Sequence, residues 1–207
     1  SKTLLKIKNK RNITVICPLR LSKTIHNLGF KKVIELDWYE RKRILDFKIF
    51  AMPAYHWSRR LGQKYNSTLW NGYIVNYKKT KIYFSGDTAF GPVFKKLGNK
   101  YGPFDLTIVP IGAYEPRKFM KSAHINPEEA VKVFTDLGAK YAIGIHWGTF
   151  KLTLEPMSEP PIRLTKALNA AGVDSKAFRA LHVCVDSTTG CDFVKDGDVT
   201  DDCRYAH

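Results

Sequence analysis

No stretch of this 207-residue sequence holds the roughly 18–20 consecutive apolar residues that a membrane-spanning helix needs. The opening Ser-Lys-Thr-Leu-Leu-Lys-Ile-Lys also lacks the apolar run and small-residue cleavage site of a secretory signal. A cytoplasmic location, or a peripheral one on a membrane surface, is therefore expected. Cysteine is scarce. Cys17, Cys184, Cys191 and Cys203 do not form the two close pairs of a zinc ribbon, and a chain of this size needs no disulfide to fold. Acidic residues are few as well, with 19 Asp and Glu against 34 Lys and Arg and a net charge of +15.

The shortage of acid is uneven. From His182 onward six aspartates face only Lys195 and Arg204, a balance of −4, which leaves +19 on residues 1–181. Such a body attracts polyanions, whether an anionic membrane surface, a phosphate-bearing substrate or nucleic acid. A solvated lysine-rich surface is the simpler reading of most of that charge. The clustered aspartates lack the spacing and closing Glu of an EF-hand. The composition divides the chain into one domain over residues 1–183 and an atypical acidic tail over 184–207.

What is present is an alternation of β-rich apolar runs with helical patterns, the mark of an α/β fold. Strands are expected over 13–17, 32–36, 44–52, 106–110, 141–145 and 178–183. A hairpin is expected from 69–75 and 81–85 across the polar 76–80 turn. Helices are expected over 21–28, closed by Gly29, and over 162–171, closed by Gly172. The clearest helix start is Asn126 as N-cap, with Pro127 at N1 and Glu129 at N3. Val131, Phe134 and Leu137 mark its apolar face, and Gly138 ends it.

Three polar residues follow expected strands: His56, Asp87 and His146. Sites in open α/β sheets form where loops converge at the carboxyl ends of strands. Two imidazoles and a carboxylate on one such edge make a plausible zinc ligand set, and Gly86 lets the chain turn sharply before Asp87. Each signal is ordinary alone. A His-Trp pair is commonly packed core, and Gly-Asp-Thr after a strand is commonly a turn.

The local strings say more. Pro53-Ala54-Tyr55-His56-Trp57-Ser58-Arg59-Arg60 and Tyr83-Phe84-Ser85-Gly86-Asp87-Thr88 are distinctive, as are Pro110-Ile111-Gly112-Ala113-Tyr114-Glu115-Pro116-Arg117, His124-Ile125-Asn126-Pro127-Glu128-Glu129-Ala130 and Ile145-His146-Trp147-Gly148-Thr149-Phe150. In order and spacing, from about residue 32 to 181, they resemble the metallo-β-lactamase-fold hydrolases, in particular the N-acyl-phosphatidylethanolamine phospholipase D family. The resemblance implies an αββα sandwich and two zinc ions, the first on His56, the second on His146, with Asp87 bridging both. It implies a phosphodiesterase in which a metal-bridging hydroxide attacks the phosphorus of a phospholipid substrate. Asp87 and His124 are then the catalytic candidates, with His124 contacting the phosphate or helping the leaving group. Arg59, Arg60, Tyr114 and Arg117 are candidates for substrate binding, since guanidinium pairs well with phosphate. Trp57, Trp70, Tyr114 and Trp147 either line a lipid-accepting wall or fill the core. His26, His182 and His207 match nothing in the family pattern.

One signature of that family, a His-x-His-x-Asp-His loop supplying two ligands to each metal, has no counterpart, because no two histidines stand two residues apart. The chain is thus expected to lack the first strands of the sandwich as well as that loop. Two ligands per metal bind weakly compared with the usual three plus water. A complementing N-terminal chain or a homo-oligomer is the expected remedy. Two readings compete: a metal-free remnant or basic module that binds anionic surfaces, and another hydrolase of the same fold, such as a lactonase, sugar-phosphate hydrolase or nuclease.

Overall fold

The structure is a computed structural model that describes residues 2–181. The expected boundary at residue 184, the acidic tail, His182, His207 and three of the cysteines lie outside the described residues. A short helix α1 (Lys2–Lys6) leads into strand β1 (Thr14–Pro18), helix α2 (Ser22–Asn27) and strand β2 (Lys32–Leu36). β1 and β2 pair in parallel as a two-stranded sheet. Cys17, Ile25 and Phe30 form its small core, with Leu4, Val15 and Val33 packed around them.

A seven-stranded sheet follows, in the unbroken order β3 (Arg41–Ile44), β4 (Phe47–Met52), β5 (Gly72–Tyr77), β6 (Thr80–Phe84), β7 (Phe104–Pro110), β8 (Ala139–Ile145) and β9 (Phe178–Ala180). β3 through β6 are antiparallel neighbours, whereas β6 through β9 are parallel. Parallel neighbours need crossovers, supplied by helices α3 (Val93–Tyr101), α4 (Arg117–Met120) with α5 (Pro127–Asp136), and α6 (Glu159–Ala170). Right-handed crossovers between strands that advance in one direction place every helix on the same face. That face holds the main core, where Phe94, Phe104, Val133, Leu137, Leu168 and Phe178 are almost fully buried. Each such side chain contributes about 1.5–3 kcal/mol through removal from water.

The small sheet joins the large one through polar seams. Asn71 Nδ2 donates to the Leu36 carbonyl, Trp38 Nε1 to the Trp70 carbonyl, and the Leu69 amide to the Leu19 carbonyl. With α2 packed on the small sheet and the other helices on the large one, the mixed α/β fold expected from the sequence is the fold observed. Among the described residues, no helix is long and apolar enough to cross a membrane.

Several expectations are corrected. Residues 44–52 are not one strand: Leu45, at φ 51°, and Asp46 reverse the chain between β3 and β4. An apolar Leu at the turn hides it from a reading that looks for Gly, Pro or Asn. β3 presents Arg41, Lys42 and Arg43 to solvent, charge that blunts an edge strand against further pairing. The β5–β6 turn shrinks to Lys78–Lys79, because Tyr77 already pairs with Thr80. Residues 69–71 leave the strand, which frees Trp70 and Asn71 for the cleft described below. Helix α3 was not expected. Its N-cap Pro92 offers no side-chain cap, and Gly98 interrupts its pattern. Helix α5 matches its expectation in full, since Asn126 and Glu129 form a reciprocal capping box.

Candidate metal centre

β4 is antiparallel to β5 and β5 to β6, so the carboxyl ends of β4, β6, β7 and β8 open on one rim. The residues just beyond those ends build the centre. The 53–57 loop after β4 carries His56. It is tied to the loop after β6, where the Tyr55 amide donates to Thr88 Oγ1 at 3.0 Å and the Ala89 amide to the Tyr55 carbonyl at 2.7 Å. Those bonds bring His56 to Asp87. Gly86 makes the turn before Asp87 with φ 65°, and a Cβ there would stand 2.9 Å from the Asn71 carbonyl oxygen.

Asp87 faces both imidazoles. Its Oδ2 lies 3.6 Å from His56 Nε2 and its Oδ1 lies 3.6 Å from His146 Nε2. That spacing is too long for a hydrogen bond. It is close to the separation of about 3.4 Å between two donors that share a tetrahedral zinc at 2.0–2.2 Å. His56 holds the Asp87 carboxyl below its usual value; burial opposes that, and His146 and His124 reinforce it.

His124 completes the cluster. Its ring centroid lies 5.1 Å from that of His56 and 5.4 Å from that of His146. Burial first, then its two imidazole neighbours, push its pKa down to about 4. The ring is therefore neutral at pH 7. The Nδ1 atoms of His56, His124 and His146 are all buried without a hydrogen-bond partner. Buried polar atoms are normally satisfied, so these three ring nitrogens stand out as open to a partner. Among the described residues, no three His, Cys, Asp or Glu side chains group closely enough to hold one ion. The donors come as two pairs that share Asp87. Each pair falls short of the three protein ligands that a catalytic zinc ordinarily has.

An open cleft of about 440 Å³ adjoins the centre, lined by His56, Trp57, Arg59, Arg60, Trp70 and Asp87 among others. Arg59 is exposed, whereas Arg60 is braced by a 2.8 Å bond to Thr68 Oγ1. Trp57 is half-exposed and stacks on Tyr65 with ring centroids 5.5 Å apart. Trp70 is pinned by its Nε1 bond to the Ala54 carbonyl.

Two expected substrate-binding residues are placed otherwise. Tyr114 is fully buried and donates its hydroxyl to Glu159, with the Arg163 guanidinium 4.6 Å over its ring, so it has no surface to offer a substrate. Arg117 is engaged by the Glu129 carboxylate and by the His124 carbonyl, the latter at 2.8 Å. It holds the backbone of His124 instead of facing the cleft. Trp147 packs against the core, and His26 bonds the Phe30 carbonyl within its own turn.

Sequence reasoning missed Glu155. This carboxylate is buried and accepts hydrogen bonds from the amides of Ala113, Tyr114 and Glu115 and from the Thr153 hydroxyl. The amides it accepts from stand about forty positions away, so no local motif marks it. The one available signal was an acid beside a proline in a segment otherwise rich in apolar residues.

The Beta-lactamase superfamily domain matches residues 2–147. The chain belongs to the β-lactamase superfamily. Within the superfamily it is 44% identical over 164 residues to the N-acyl-phosphatidylethanolamine-hydrolyzing phospholipase D 1 of Caenorhabditis elegans, covering 74% of this chain and 46% of that protein. It is 31% identical over 170 residues to the mitochondrial N-acyl-phosphatidylethanolamine-hydrolyzing phospholipase D of Saccharomyces cerevisiae, covering 79% of this chain and 36% of that one. The chain thus spans less than half the length of these two relatives. A metallo hydrolase from Ignicoccus hospitalis superposes with a TM-score of 0.61 at 17% identity, over 81% of this chain and 65% of that structure, which is a likeness of fold.

Proposed function

We propose that this chain carries one rim of a zinc-dependent phosphodiesterase centre that cleaves N-acyl-phosphatidylethanolamine or kindred phospholipids at the headgroup phosphate. The observation that carries the reading is Asp87, which presents one carboxylate oxygen to each of two imidazoles at the same 3.6 Å. A carboxylate shared in this way suits a bridging ligand, with His56 and His146 as the terminal donors. Bound there, zinc would lower the pKa of water to about 7 and offset charge developing on the phosphoryl oxygens.

The chain's own groups supply the rest. His124, neutral at pH 7, holds or releases a proton at a ring nitrogen beside the scissile phosphate. Arg59 and Arg60 on the cleft wall pair with the anionic headgroup. Trp57 and Trp70 offer an apolar wall to an acyl chain. The +19 of residues 1–181 favours a peripheral position on an anionic lipid surface; nucleic acid is not the expected partner. The ligands still wanted at each metal come from further protein, either in the same polypeptide, a complementing chain or a second copy.

The test is zinc per chain by elemental analysis after gel filtration, with release of phosphatidic acid from N-acyl-phosphatidylethanolamine vesicles as the activity readout. Bound zinc and hydrolysis, both lost in a folded Asp87→Asn variant, are expected. Equal zinc in wild type and variant, or turnover of lactones or cyclic nucleotides in place of phospholipid, overturns the reading. The lack of any three-donor group among the described residues favours a second reading, a metal-free module that binds anionic surfaces. Salt-sensitive vesicle binding that is unchanged by His56→Ala and His146→Ala, with no zinc bound, would support it.

A further inference from the structure

We infer that Glu155 is the positioning residue for His146: its buried carboxylate fills a nest of three consecutive amides and so fixes the turn against which the His146 backbone rests. The inference rests on His146 belonging to the proposed centre, but its geometry stands apart from any metal.

Burying a carboxylate is unfavourable unless hydrogen bonds satisfy it. Glu155 is only 8% exposed. Its Oε1 accepts the Ala113 amide at 2.7 Å, the Tyr114 amide at 3.3 Å and the Thr153 hydroxyl at 2.7 Å, and its Oε2 accepts the Glu115 amide at 3.1 Å. Three successive amides converge on one anion only where the chain curls into a concave nest. Here the curl puts Ala113 in the left-handed region at φ 61°. A non-glycine residue is strained there and persists only when its surroundings enforce it. The carboxylate is the enforcing group.

The nest begins directly after β7 and abuts the end of β8. The Ile111 amide donates to the Ile145 carbonyl at 2.9 Å, and Pro110 stands in register with Ile145. At the next position backbone meets backbone: a Cβ on Gly112 would lie 2.3 Å from the His146 carbonyl oxygen and 3.1 Å from Trp147 Cβ. His146 itself is left-handed, at φ 63°. Two strained turns thus lean on each other, and the buried anion anchors the first. Glu155, Ala113, Gly112 and His146 line one narrow crevice. The His146 imidazole stands 3.6 Å from the Asp87 carboxylate. His56 hangs from the separate 53–57 loop, which is tied to Thr88 and Ala89, and its ring reaches the nest only indirectly, through His124 and Arg117 to Glu115.

That asymmetry provides the test. Glu155→Gln keeps the size and one acceptor oxygen but removes the charge, and Thr153→Val removes a single donor, so the second serves if the first does not fold. In isotope-labelled, metal-free chain, nuclear magnetic resonance follows the Ala113 and Glu115 amides and the imidazole nitrogens of His146 and His56, assigned with His146→Ala and His56→Ala. Glu155→Gln is expected to move both amides and the His146 ring and to leave the His56 ring in place. Thr153→Val should move the same set by less. Amides that move while the His146 ring stays overturn the inference, as do shifts of the His56 ring as large as those of His146. Zinc is then titrated into each protein. Apparent affinity read at His146 should fall about tenfold or more in Glu155→Gln, with little change at His56. A wild-type chain whose rings ignore zinc counts against the proposed function, and the metal-free comparison still decides the role of Glu155.

Discussion

A Cβ placed on Gly86 would stand 2.9 Å from the carbonyl oxygen of Asn71, so the turn that delivers Asp87 is closed to every residue with a side chain. With φ at 65°, Gly86→Ala meets both a steric and a conformational penalty. It is expected to cost about 1–3 kcal/mol in urea unfolding and to weaken any zinc binding by displacing Asp87. A variant as stable as wild type, with unchanged zinc, would show that the turn is not confined as described.

Asn126→Ala removes the side-chain oxygen that accepts the Glu129 amide at 2.9 Å at the start of α5. Loss of such a cap typically costs about 1 kcal/mol. Glu129 also engages Arg117, which holds the His124 carbonyl, so the loss should reach the His124 ring. Urea unfolding together with the His124 ring resonances checks both halves, and destabilisation without any movement at His124 would break the link.

Stability should depend on Glu155 in a pH-dependent way. Burial pushes its carboxyl up, but the Thr153 hydroxyl and the backbone amides outweigh burial and hold it below its usual value. A depressed carboxyl contributes stability above its unfolded pKa and loses it as pH falls through the folded value. Wild type should exceed Glu155→Gln by about 2 kcal/mol at pH 7, the scale of hydrogen bonds to a charged group. The difference should shrink as pH drops below about 4.5, near the unfolded glutamate value. Paired denaturation curves at pH 7 and pH 3.5 measure it; a difference that grows on acidification would refute the sign.

Cys17 should resist thiol reagents in the native protein. Burial, and secondarily the charge of Glu35, push its pKa up to about 11, so little thiolate exists at pH 8. Mass mapping after brief alkylation should leave the Cys17 peptide unmodified without urea and modified with it. Rapid native labelling would mean that the small sheet opens readily.

The rim was legible through a placement rule, but that its residues form one site rested on the resemblance of the local strings, which alone marked His124. His56, Asp87 and His146 each follow a strand whose composition announces it, and strand ends on one rim converge. The α5 start was legible for a similar reason, since Asn126, Pro127 and Glu129 satisfy backbone groups within four positions of one another. The illegible parts depend on distance along the chain or on side chains used against type. Glu155 meets Ala113 across 42 positions. Leu45 takes a turn position that its apolar side chain disguises, and Gly98 sits inside a helix that packing sustains. Tyr114 and Arg117 share the motif segment with Gly112 but point into the protein, a direction that spacing does not encode.

The single-faced arrangement of helices has a consequence for how this architecture can change. His56, Asp87 and His146 each ride on a connector beyond a strand and His124 on the link between α4 and α5, while the helices that bury the main core lie on the sheet face served by the crossovers. Rewriting one connector therefore leaves the main core in place but reaches the neighbouring connectors it is tied to, as Tyr55 is to Thr88 and Gly112 to His146. Chemical specialisation and foldability are inherited on different parts of the chain, which lets one scaffold diversify its reactions faster than its shape.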